Sequence, residues 1–64
     1  MGSLDDEIIK VLKRHRMPLS PSSIALLIGA PKDRVSKKVR KLEKYGYIQL
    51  ATVKKMRFYK LKKW

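Results

Sequence analysis

Proline and glycine divide the first 46 residues of this chain into three short helical segments, and that punctuation constrains the fold more than any other feature. Pro18 cannot continue a helix and pushes Met17 toward extended geometry. Ser20-Pro21 is then a start signal, an N-cap serine followed by proline at the first helical position. Gly29 ends that segment, because glycine takes the left-handed conformation past a helix end at little cost. Ala30-Pro31 opens the next helix and Gly46 closes it. The spacing predicts helices over about 4–16, 21–29 and 32–45.

Each segment offers an apolar face. Leu4, Ile8, Val11 and Leu12 recur at helical spacing, and Val35, Val39 and Leu42 form one stripe on the third helix. His15 falls on the stripe of the first helix. The second helix runs from Pro21 through Ile24, Ala25, Leu27 and Ile28. Ser3 is a candidate N-cap with Asp6 three residues on. Asp5, Asp6 and Glu7 suit the positive end of the first helix, and Lys13, Arg14 and Arg16 suit the other.

After Gly46 the period changes. Residues 47–53 and 56–61 are rich in β-branched and aromatic side chains and flank Lys54-Lys55, which reads as an antiparallel hairpin. Ile48, Leu50, Tyr59 and Leu61 are expected to face the helices. The turn lacks the Gly or Asn that tight hairpins favour, so a tight turn and a wider loop around Thr52–Met56 are equal readings. The expected fold class is α+β. Three helices precede a two-stranded wing over about 47–62, with a short extended piece between the first two helices, all in one domain spanning 1–64.

A chain of 64 residues buries only about 60% of its unfolded surface. With no cysteine it has neither a disulfide nor a thiolate metal site to assist it. Stability must rest on the aliphatic core. The lack of cysteine fits a reducing compartment, so an intracellular location, cytoplasmic or nucleoid-associated, is expected. No apolar run approaches the roughly 18 residues of a membrane span, and no membrane partner is expected.

The charge is high and unevenly placed. Seventeen Lys and Arg against five Asp and Glu give +12. Residues 1–30 carry four basic and three acidic side chains, a net of +1, whereas residues 31–64 carry thirteen and two, a net of +11. Such an excess repels itself unless a polyanion relieves it. A merely soluble lysine-rich surface would be interspersed with glutamate, which is nearly missing here.

The stretch from Leu19 to Ile48 resembles the helix-turn-helix core of winged-helix transcription regulators of the MarR, IclR and Lrp-like families. Ala25 matches the small residue of the middle helix, and Gly29 matches the turn glycine. Val35, Val39 and Leu42 match the buried stripe of the recognition helix. The family ending Leu-Glu-x-x-Gly-Leu-Ile stands here as Leu42-Glu43-Lys44-Tyr45-Gly46-Tyr47-Ile48. Small archaeal and viral winged-helix proteins and the winged-helix domains of archaeal replicative helicases are similar in outline. The resemblance implies a winged helix-turn-helix that binds double-stranded DNA, as a transcription regulator or an architectural factor. Pro31 replaces the usual Ser or Thr cap, and neither the dimerising segments nor the ligand-sensing pocket of MarR-type regulators has a counterpart. Winged helices that read left-handed duplexes use an Asn and a Tyr where this chain has Ser36 and Arg40, which argues against that target.

The recognition helix supplies the first candidate contacts. Opposite its apolar stripe lie Lys37, Arg40, Lys41 and Lys44, with Asp33, Arg34 and Ser36 flanking. The major groove admits one α-helix, and its base edges offer acceptors that Arg and Lys satisfy. Lys32, Asp33, Ser36, Lys37 and Arg40 are assigned to the groove, and Lys41 and Lys44 to phosphate. In the wing, Lys54 and Lys55 at the tip, with Arg57 beside them, would reach the backbone or minor groove, although lysine at a hairpin tip also guards against aggregation. Ser20 and Ser22 are candidate phosphate contacts at a helix N-terminus, with capping as the other reading of Ser20. Met56, Phe58 and Trp64 are apolar and directed outward. A homodimer contact is one reading of them, and terminal fraying or side-packing the other.

No nucleophile with a base, acid–base pair or phosphate-cradling loop is present, so an enzyme is not expected, nor any catalytic residue, metal site, cofactor or small-molecule substrate. The rival readings are an RNA-binding module, or a protein–protein winged helix of a larger replication or transcription assembly.

Overall fold

The computed structural model describes residues 3–62. Helix α1 spans Leu4–His15, α2 Pro21–Ile28 and α3 Lys32–Lys44; strands β1, Ile48–Val53, and β2, Met56–Leu61, follow. Side-chain caps start α1 and α2, whereas α3 follows Pro31 without one. The Ser3 hydroxyl accepts from the Asp6 N–H at 3.2 Å. The Ser20 hydroxyl accepts from the Ser23 N–H at 3.2 Å, with Pro21 at the first helical position. α1 ends when Arg16 turns left-handed at φ 50°, one residue short of the expected boundary.

Gly29 and Gly46 both close their helices in the left-handed conformation. At Gly46, φ is +87°; the Gly46 N–H donates to Glu43 O at 3.0 Å and the Tyr47 N–H to Leu42 O at 2.9 Å. This is the paired capping arrangement that only a left-handed residue completes. A methyl group added at Gly46 would meet Lys62 Nζ at 3.6 Å, an ordinary contact, so the backbone alone sets the cost. Gly46→Ala is therefore expected to destabilise the fold by about 1–2 kcal/mol, lowering the melting temperature by roughly 4–8 °C per kcal/mol. An unchanged thermal melt would contradict this.

The three helices and one hairpin face enclose a single apolar core. Ile8, Leu12, Leu19, Ile24, Ala25, Val35, Val39, Leu42, Ile48, Tyr59 and Leu61 are buried, with Leu4, Ile9, Val11, Ile28, Ala30 and Leu50 packed partly against them. β1 and β2 pair antiparallel in the register Ile48↔Leu61, Leu50↔Tyr59 and Val53↔Met56. The expected inward set is thus correct. The extended piece between α1 and α2 joins the sheet: Leu19 N–H donates to Tyr59 O at 2.9 Å, and Tyr59 N–H to Leu19 O at 2.8 Å. That bridge ties the base of the wing to the helices.

Two open points are resolved, and one expectation, at His15, needs correction. Of the two turn readings the tight one holds: Lys54 and Lys55 alone connect the strands, at φ 49° and 67°. Positive φ at both central residues is the primed turn that matches strand twist, here made without glycine. His15 is exposed, because the core contacts of α1 end one turn earlier, at Leu12. Leu27 is half-exposed at 50% and Leu26 stands out at 84%, so only Ile24, Ala25 and Ile28 of α2 face inward.

Candidate nucleic-acid interface

Burial of Val35, Val39 and Leu42 decides what α3 shows to solvent. At about 100° per residue, Asp33, Lys37, Arg40 and Lys44 fall within about 60° of one another, on the side directly away from those three. All four are exposed, as are Lys32, Arg34 and Lys41, while Ser36 is half-buried at the edge of the stripe. Asp33, Ser36, Lys37 and Arg40 line one shallow open depression. The helix therefore gathers Asp33, Ser36, Lys37 and Arg40 of the predicted groove residues on one side, whereas Lys32 lines the turn between α2 and α3 instead.

One basic residue of α3 is not on that face. Lys38 reaches back to Asp5 on α1, with Nζ 3.5 Å from Oδ1. Both side chains are part-exposed, so the pair contributes little stability. Its consequence is directional: it turns one lysine of the C-terminal half away from the outer face of α3 and toward α1. Helical spacing places Lys38 beside the buried stripe, three residues after Val35, but nothing local names its partner.

The wing carries the second group. Lys54 and Lys55 form the turn itself, and both are exposed. Arg57 lies across from Thr52 and alternates onto the face of Tyr59 and Leu61, beyond the core and exposed. On the other face, Phe58 lies across from Ala51 and is half-buried, whereas Met56 is exposed. Trp64, the third residue of the expected dimer contact, lies outside the described residues.

Ser20 serves the helix. Besides capping, its hydroxyl donates to Ser23 Oγ at 3.0 Å. Ser22 is exposed and, with Ala25, Leu26, Gly29, Ala30 and Lys32, lines a second shallow depression at the α2–α3 turn. Among the described residues no three His, Cys, Asp or Glu gather as a metal cluster, and no helix is long and apolar enough to cross a membrane.

No family model matches the sequence, and no curated protein matches it. Its structure is similar to that of the heme sensor protein PefR, solved in complex with heme and carbon monoxide. The TM-score is 0.68 at 19% identity, over 88% of this chain and 40% of that one. The fold is a winged helix-turn-helix. In that architecture α2 and α3 are the helix-turn-helix proper, with Gly29 in the turn, and β1 and β2 are the wing. The chain spans well under half the length of PefR.

Proposed function

We propose that this winged helix is a DNA-binding module, acting as a transcription regulator or an architectural factor. The reading places α3 in the major groove and the Lys54–Lys55 turn on the backbone or minor groove. The observation that carries it is the composition of the solvent face of α3. Lys37, Arg40 and Lys44 stand along one stripe directly opposite the core, with Arg34 and Lys41 flanking, and the wing tip adds two further lysines. A helix so loaded fits a groove about 12 Å wide walled by phosphates.

Binding of this kind is dominated by counterion release, so the logarithm of affinity should fall linearly with the logarithm of salt, by about 0.9 per phosphate neutralised. Titrating duplex DNA at several salt concentrations tests the proposal. A steep negative slope is expected; no binding at low salt, or binding indifferent to salt, would overturn it. Running the same titration with duplex RNA separates a DNA module from an RNA one.

A second reading, a protein-binding module of a larger assembly, is favoured by one observation. Leu26 and Leu27 are apolar side chains of α2 that the described residues leave exposed. Such a module would leave DNA unbound in the same titration.

A further inference from the structure

Asp33 is an anomaly on the face described above. It is exposed on the same stripe as Lys37, Arg40 and Lys44, in a chain with only five acidic residues. An uncompensated carboxylate there opposes every phosphate that approaches. Lys37 lies one turn further along, yet among the described residues the ion pair is made by Lys38 and Asp5, and Asp33 joins none. Its carboxylate is left free at the rim of the depression it shares with Ser36, Lys37 and Arg40.

Two exocyclic amino groups face the major groove, on cytosine and on adenine, and a free carboxylate prefers cytosine because the adenine amino group sits beside the N7 acceptor. Adenine and guanine offer the N7 acceptor, and thymine the O4 acceptor, all of which repel it. Guanidinium has the opposite preference and pairs with O6 and N7 of guanine. Asp33 and Arg40 are seven residues apart, about 10.5 Å along the helix axis, which is about three base-pair steps. Ser36 and Lys37 stand midway. Single helices that read several neighbouring bases from residues three or four apart are an established docking geometry.

Resting on the DNA-binding reading above, we propose that Asp33 is a specificity-determining residue that selects a cytosine, with Arg40 selecting a guanine about three base pairs away. The chain is then a sequence-selective binder of sites bearing C·G and G·C pairs at that spacing. Lys41, Lys44 and the wing lysines supply affinity that is indifferent to sequence.

The test is selection of duplexes from a randomised library by the whole chain and by D33N, D33A and R40A, each confirmed folded by circular dichroism. Wild type should enrich C at one position, preferring it to the other bases by about tenfold. D33N should move that preference to adenine, because a carboxamide pairs with adenine N6 and N7, and should leave the other positions unchanged. D33A should lose selection at that position while binding non-cognate duplexes more tightly, and R40A should lose the guanine. The proposal is overturned if D33A raises affinity for every sequence alike with preferences intact, which would make Asp33 only a partner of the positive N-terminal end of α3. It is also overturned if wild type binds duplex DNA without preference. The DNA-binding reading survives both results and fails if wild type binds no duplex or binds it without salt dependence.

Discussion

Ile8→Ala is expected to leave a large fraction of the chain unfolded at 37 °C. Ile8 is fully buried, at the point where α1 meets the rest of the core. Removing its outer carbons loses their transfer free energy and leaves a cavity, together about 2–5 kcal/mol. Against this, a domain this small with no disulfide or metal rarely holds more than about 3–5 kcal/mol of stability. The loss is therefore comparable with the whole. Leu26→Ala is the matched control: Leu26 is 84% exposed, so the same kind of truncation should change stability by no more than about 0.5 kcal/mol. Thermal and urea melts followed by circular dichroism separate the two. If Ile8→Ala melts cooperatively within a few degrees of wild type, the core does not carry the fold in the way described.

The contrast between Ile8 and Leu26 also marks the limit of what could be read before the structure. On α1 and α3 apolar residues alternate with charged ones, so period alone assigns Ile8, Leu12, Val35, Val39 and Leu42 to the core. The outward stripe of Asp33, Lys37, Arg40 and Lys44 follows automatically, since the two faces of a helix are complementary. α2 is apolar on all sides, Ile24-Ala25-Leu26-Leu27-Ile28, and gives no contrast from which to choose a face. Caps were legible because they are local: Ser3, Ser20, Gly29 and Gly46 act on backbone groups within a few residues. The ion pair of Lys38 with Asp5 and the bridge of Leu19 with Tyr59 join residues distant in sequence, and no spacing rule reaches them. His15 illustrates a subtler gap. Its spacing fits the stripe, but spacing carries no information on where the core stops.

The wing turn is where local preference and observed geometry disagree most, and it yields the last prediction. Lys54 and Lys55 both adopt positive φ, which costs an L-residue with a side chain about 1–2 kcal/mol. Asn-Gly is the pair suited to this turn. The double variant Lys54→Asn with Lys55→Gly should therefore stabilise the protein by about 1–2 kcal/mol, raising the melting temperature by roughly 4–8 °C per kcal/mol. The same change removes both charges from the wing tip. If each lysine neutralises one phosphate, the slope of log affinity against log salt should become shallower by about 1.8, with weaker binding at low salt. Stability and affinity should then move in opposite directions. Lys10→Gln with Lys13→Gln removes the same charge from exposed positions on α1 and should leave the slope nearly unchanged, which separates the position of the charge from its amount. A stabilised Asn-Gly variant with undiminished affinity and slope would return the two lysines to guarding the hairpin against aggregation. The predicted outcome would instead mean that a strained turn is retained because its charges meet the nucleic acid.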